Sequence, residues 1–411
     1  MKYVISQVAF SGNKGAAGMA ESLIQNFSER DAKASFFVLS YYYREDRKHI
    51  LPDRVTLVNA EPKQVLLNSI LSCWVFLTVR LHFPKLFWNF GLFKTVSGAD
   101  IWLDAAGISF VDGREKFTFF NILSLLPAFA LKIPIVKVSQ AMGPFHNFLN
   151  SFFAWLFLSK FKMIVARGDV TYGYLKERKL SNVVLHSDSA LFLKYTEKNV
   201  KEAKTLLPEE FSGNLIGISP SQVVYKFCKK QNIPYLDILK KAVTDLSSAG
   251  YHCVIFPHSA RQGKTATHNN DLPVLHLFCK MLGPDTLSKC TIINDELSPG
   301  TLRALISECS ILIASRFHAI ISAMATGTPT VVIGWSHKYA EVLEQFGVSD
   351  FVIPYNKLSV SLLQQKINEI LSNRNAISGN ILKELHAIQE RDNVFFHNLI
   401  QEFQQKKTEY P

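Results

Sequence analysis

Short apolar runs recur along the chain, and most are followed by stretches whose apolar positions fall at helical spacing. Residues 3–10 read as a buried strand. A Gly-rich turn follows, then a helix with Met19, Leu23, Ile24 and Phe27 on one face. The strand series continues at 35–39, 55–58, 101–103, 135–139, 163–166 and 183–185. Between about 194 and 214 the chain turns polar, which places a domain boundary there and predicts domains at 1–195 and 196–411. A second alternating series then runs through strands at 215–219, 253–256, 291–293, 311–314, 330–333 and 351–353. Residues 378–404 read as one long C-terminal helix, assigned to the second domain. Strands that alternate with helices form parallel sheets covered on both faces. The expected class is therefore α/β, with two Rossmann-like parallel-sheet domains facing a cleft.

Ligands of doubly wound sheets bind beyond the carboxyl ends of the strands, so the residues just after each strand carry the information. Gly12-Asn13-Lys14-Gly15 follows the first strand, where small residues let a backbone approach a ligand and a helix N-terminus favours an anion. It matches neither G-x-G-x-x-G nor the P-loop, so NAD and ATP sites find little support. Asp104 to Gly107, Gln140 to Pro144 and Ser187 to Ser189 end three further strands. Arg167 ends another at a helix start, where its fork can meet a carboxylate or phosphate or pair with a structural acid. In the second half, Ser219-Pro220-Ser221 and His258-Ser259 follow strands, and Arg261 to Lys264 adds positive charge. The sharpest unit is 311–334: a strand, then Ser315, Arg316, Phe317 and His318 opening a helix, Gly327 and Pro329 ending it, and a second strand followed by Lys338. Arg316, His318 and Lys338 thus gather at neighbouring strand ends.

Composition narrows the classes. Charged residues make up 19% of the chain and apolar residues 48%, which excludes a disordered protein. The net charge of +11 favours an anionic partner: nucleic acid, a phospholipid surface or a phosphorylated small molecule. The cations are dispersed, without the aromatic–basic motif of an RNA reader, so nucleic acid is not expected. Six scattered cysteines form no CxxC pair or Cys/His ligand spacing, which predicts buried free thiols and no metal. The first residues lack a signal-peptide pattern, and a cytoplasmic protein is expected. Two apolar segments, 65–79 and 145–163, are too short to span a bilayer. They read either as core helices or as a peripheral membrane surface with Arg80, Lys85, Lys160 and Lys162 near anionic head groups.

Read together, these segments resemble the polysaccharide pyruvyl transferase family over about residues 5–350. The strongest part is SRFHAIISAMATGTPTVVIGWSHKYAEVLEQFG, supported by QAMGPF, ARGDVTYGYL, SDSALFL, GISPS and FPHS in order. The chain departs from the family where Ala16 replaces the Asp of Asn-x-Gly-Asp, where only Ala105-Ala106-Gly107 follows Asp104, and where Gly168 replaces an acid. The resemblance implies a fold like that of two-domain, GT-B-like glycosyltransferases. It implies phosphoenolpyruvate as donor, a saccharide hydroxyl pair as acceptor, and a ketal as product, with no cofactor. His318 would be the general acid. Arg316, Arg167, Lys338, His258 and Ser221 would bind the donor, and Asn13, Asp104, Gly107 and Gln140 the acceptor. A lipid-linked oligosaccharide at the cytoplasmic membrane face is the acceptor that the apolar segments suggest. Two other readings stay open: a nucleotide-sugar glycosyltransferase of the same architecture, and a non-enzymatic basic module for membrane or nucleic acid.

Overall fold

The computed structural model describes residues 1–49, 51–80, 91–209, 214–263, 269–336 and 338–409. Lys85 and Lys264, and the side chain of Arg80, lie outside the described residues. The chain forms two compact units. The first comprises Met1–Ser11, Ala16–Ser189 and the chain from Arg391 onward, and the second comprises Gly12–Gly15 and Ala190–Glu390.

The first unit holds a parallel sheet of seven strands: β1 (Lys2–Val8), β2 (Ser35–Ser40), β3 (Val55–Asn59), β4 (Ile101–Asp104), β5 (Ile135–Gln140), β6 (Met163–Arg167) and β7 (Val183–His186). Their order is β3-β2-β1-β4-β5-β6-β7. The second unit holds a parallel sheet of six: β8 (Leu215–Ser219), β9 (His252–Ile255), β10 (Cys290–Ile292), β11 (Ile311–Ala314), β12 (Thr330–Gly334) and β13 (Val352–Pro354), ordered β10-β9-β8-β11-β12-β13. Every strand coincides with one of the thirteen apolar runs to within two residues. β4, β5, β8, β11 and β12 are buried throughout, as parallel strands with helices on both faces must be. β1 stops short of its apolar run: Gln7 adopts a positive φ and the register with β2 shifts between Ile5 and Val8.

In each sheet the strand order reverses once, between β1 and β4 and between β8 and β11. These are the switch points, where the diverging crossovers open a crevice at the strand ends. Ala314 of β11 registers against Ser219 of β8, so the loops after both strands start level with one another.

The passage between units differs from the boundary expected at 195/196. It comes between Ser189 and Ala190, because the carbonyls of Ala190 and Leu193 accept hydrogen bonds from the buried Arg303 of the second unit. The C-terminal helix also differs. It runs over Val360–Glu409, with a break at Asn373, and from Arg391 onward it belongs to the first unit. There Asp392 accepts from the Ser187 backbone N–H at 2.8 Å, and the Phe396 ring packs edge-on against Phe27. All six cysteines are free; Cys228, Cys253 and Cys309 are buried, but Cys73 is exposed.

Gly217 in β8 tests how tightly the second switch point is packed. A Cβ built there would lie 2.8 Å from Leu312 Cδ1 and 3.1 Å from Cys309 Sγ. Gly217→Ala should destabilise the second unit by roughly 1–3 kcal/mol, the usual cost of overpacking a core. Gly173→Ala, in a helix where a Cβ would meet nothing within 4 Å, should leave the chain equally or more stable. Thermal melts of the two variants beside the parent chain check both expectations.

Candidate active site

The second unit's site is organised by Asp271, which is wholly buried. Its carboxylate faces Arg316 in a bidentate pair, with Nε to Oδ2 at 2.8 Å and Nη2 to Oδ1 at 2.7 Å. The same carboxylate accepts from the backbone N–H of Gln222 at 2.8 Å and of Ser259 at 3.1 Å. Its own N–H donates to the Ser259 carbonyl at 2.6 Å. One side chain therefore ties together the loops that leave β8, β9 and β11. The Arg316 side chain is 15% exposed, and Nη1 takes no part in the pair. Burial would lower the Arg316 pKa, but the Asp271 charge and hydrogen bonds outweigh it and hold it above the usual value.

Asp271 escaped sequence reasoning. It stands just before the apolar helix Leu272–Met281 and reads as a routine cap, yet its side chain makes no capping bond. A second layer supports the pair. Tyr235 OH lies 3.0 Å from Ser315 Oγ and accepts from the Ser221 N–H at 3.2 Å, and Tyr339 OH donates to the Ser315 carbonyl at 3.4 Å. Ser219 Oγ and Gln222 Oε1 are buried beside these loops with no hydrogen-bond partner among the described residues.

His318 opens helix Phe317–Met324, edge-on to the Phe317 ring. The Gly-rich segment 12–15 packs against it. A Cβ at Gly15 would lie 1.9 Å from His318 Nδ1, so this close approach needs glycine. Asn13 Oδ1 accepts from the Gly15 N–H at 3.1 Å, closing the turn. Lys14, nearly buried, donates to Glu296 at 2.8 Å, and Gly12 pairs with Ala260 in an isolated bridge. Asn13 was expected on the first domain as an acceptor contact. The structure instead places it in the second unit, in the turn against His318, because these glycines permit the approach.

His258 is buried after β9. Burial pushes its pKa well below the ordinary value, and the neighbouring His318, Arg316, Lys14 and Arg303 push the same way. The neutral form of the imidazole is therefore the one favoured there. Lys338 lies over the rings of Phe317 at 4.8 Å and Trp335 at 4.9 Å, so aromatic faces hold it at the end of β12. Ser221 behaves differently from expectation. Its buried hydroxyl caps helix Gln222–Lys230, accepting from Val223 and Val224 N–H, and is spent on local structure.

The residues expected at the first unit's switch point are mostly internal. Asp104 and Lys137 form a fully buried ion pair. Asn121 donates to the same carboxylate at 3.1 Å, and Ala106 N–H at 3.2 Å. Burial lowers the Lys137 pKa, against the opposing pull of Asp104. Gln140 donates to the Asp104 carbonyl at 2.7 Å and accepts from Ser109. Asp104 and Gln140, expected as acceptor contacts, are thus buried and engaged by internal partners of the framework. Arg167, expected on the donor, is buried and donates to Asp188 at 2.9 Å in the first unit, which is the structural-acid alternative. At Gly107 a Cβ would make ordinary contacts, 3.7 Å from Arg167 Nη1 and 3.9 Å from Met19 Sδ.

The arrangement in the second unit suits a small, multiply charged anion. It offers a pre-oriented guanidinium, a held ammonium and two imidazoles at neighbouring strand ends. Comparisons with known proteins agree with this architecture. The chain is 23% identical over 300 residues to the amylovoran biosynthesis protein AmsJ of Erwinia amylovora, covering 71% of this chain and 70% of that protein. Among solved structures it superposes on a UDP-GlcNAc 2-epimerase from Neisseria meningitidis with a TM-score of 0.57, at 12% identity, covering 98% and 100% of the two chains. A ugt transferase from Siraitia grosvenorii gives 0.57 at 10% identity with the same coverage. These likenesses establish a GT-B-like fold. The sequence pattern of the polysaccharide pyruvyl transferases matches residues 13–337, a span that includes Asp271, Arg316 and His318, and the chain belongs to that family.

Proposed function

We propose that this transferase moves a pyruvyl group from phosphoenolpyruvate to a pair of hydroxyls on a saccharide, forming a cyclic ketal. One observation carries the reading: Asp271 fixes the Arg316 fork at the second switch point, between the loop of His258 and the helix that His318 opens. Phosphoenolpyruvate puts a carboxylate and a phosphate on three carbons, and a rigid guanidinium with an ammonium matches such a ligand better than apolar surface does.

In this reading Arg316 and Lys338 hold the two anionic groups, with His258 beside them. His318 gives a proton to the methylene carbon, and positive character develops at the enol carbon. A sugar hydroxyl adds there and returns a proton to His318. The bond between that carbon and the bridging oxygen then breaks, inorganic phosphate leaves, and the second hydroxyl closes the ring, its proton passing to the phosphate. Imidazole suits this proton transfer because its ordinary pKa lies near neutrality. Asn13 stands in the turn against His318 and is the residue we place nearest the acceptor. The acceptor we favour is a lipid-linked oligosaccharide at the cytoplasmic face of the membrane.

Calorimetry on the purified chain tests the donor. Phosphoenolpyruvate should bind saturably, and Arg316→Ala should weaken it roughly 10–100-fold, the loss expected when a charge-assisted hydrogen bond from Nη1 is removed. His318→Asn should keep that affinity while lowering ketal formation by roughly 10²–10⁴, the usual worth of a general acid. Binding of nucleotide sugars without phosphoenolpyruvate would overturn the donor assignment. Gly15→Ala should lower turnover more than donor affinity, because the new Cβ displaces the His318 ring.

The depressed His258 pKa also gives a pH signature. Its neutral form is favoured in the fold, so its contribution to stability is complete above about pH 6.5 and is lost as pH falls below that value. His186, whose pKa burial also lowers, adds to the trend from the first unit. Thermal midpoints should fall between about pH 7 and pH 5, and His258→Asn should make the fall shallower.

A further inference from the structure

Three helices of the first unit turn large apolar side chains toward solvent. Helix Pro62–Arg80 buries Val65, Asn68, Ser69 and Ser72 and exposes a stripe through Ile70, Trp74 and Leu77, with Trp74 at 56%. Ser69 donates to the Leu123 carbonyl of helix Glu115–Ala130 at 3.0 Å, so these two helices lie side by side. From Phe119 of that second helix a chain of rings continues through Phe153 and Phe152 to Phe148 and Trp155 on helix Phe148–Phe157. Phe148 is 79% exposed and Trp155 70%. The ring chain is contiguous, the stripe of Pro62–Arg80 lies on the helix beside it, and exposed apolar surface of this extent marks a binding surface.

Charge indicates the occupant. Helices Pro62–Arg80 and Phe148–Phe157 contain no Asp or Glu. Lys116 lies 5.4 Å from the Phe117 ring, and Lys160 lies 5.5 Å from the Phe157 ring, at the edges of the patch. In a two-fold dimer this face would meet a copy of itself, and helices Pro62–Arg80 and Phe148–Phe157 of that copy would offer the cations no carboxylate. An anionic lipid surface satisfies both features, taking the rings at the headgroup boundary and the ammoniums against phosphates. No helix among the described residues is long and apolar enough to cross a membrane, so the contact is one of lying on the surface. We infer that the face built from these three helices docks the protein on an anionic phospholipid bilayer. The inference does not depend on the reaction proposed above.

Sedimentation of the full chain with phosphatidylcholine vesicles, with and without phosphatidylglycerol, tests it. The chain should bind vesicles containing phosphatidylglycerol, less tightly without that lipid and less tightly at about 0.5 M salt. Phe148→Ser/Trp155→Ser should weaken binding by about tenfold or more. Trp74→Ser, on a separate helix, should weaken it in the same sense. Lys116→Glu/Lys160→Glu should abolish the preference for phosphatidylglycerol. All these positions are at the surface, and unchanged thermal melts would confirm that the fold persists. Failure of the parent chain to bind, or equal binding by folded variants, would overturn the inference. So would a concentration-dependent dimer that Trp155→Ser dissociates while vesicle binding is absent, since the face would then serve a second copy.

Discussion

A carboxylate without access to water governs the second unit. Asp271 faces four N–H donors, two from the Arg316 fork and two from the backbone of Gln222 and Ser259. Removing an ion from water is expensive, and only full hydrogen bonding offsets that cost. The offset exists here because three loops converge on one point. The pair is therefore better understood as a positioning device than as a source of stability. It sets the direction of a guanidinium whose Nη1 stands outside the pair, and it fixes the loops that carry Ser221, His258 and His318. Breaking such a pair from one side typically costs roughly 3–5 kcal/mol, because the surviving charge is left buried and alone.

The two switch points use a similar device to opposite ends. In the first unit, Asp104 meets Lys137, Asn121 and a backbone N–H, and nothing of either charge reaches solvent. That cluster completes a core and presents no field. In the second, the acid is matched by an arginine that keeps partial exposure, and His258 and His318 stand on the loops that the pair ties together. Burial, with nearby cations pushing the same way, also favours the neutral form of His258.

Much of this was legible in the sequence, because period and punctuation are local. The apolar runs mark the strands, and Gly327 with Pro329 ends the helix that carries His318. The Arg316–Phe317–His318 unit stood out because three residues fall at one strand end. What stayed hidden depends on distant partners. Asp271 lies 45 residues from Arg316 and looks like an ordinary helix cap. Asp104 looked open to a ligand because Lys137, 33 residues on, gives no local sign of pointing inward. The apolar segments fitted neither simple reading. A helix can be core on one side and exposed on the other, and the pattern of Ser, Asn and Trp in 62–80 shows that division only once its neighbours are known.

The most direct test is the coupling between Asp271 and Arg316 in donor binding. Phosphoenolpyruvate affinity would be measured for the parent chain, Asp271→Asn, Arg316→Lys and the double variant. If the carboxylate acts by orienting the guanidinium, Asp271→Asn weakens binding strongly in the parent but adds little once Arg316 is lysine, a coupling on the order of 1–3 kcal/mol. Parent-like affinity in a folded Asp271→Asn variant, or losses that simply add, would contradict the account.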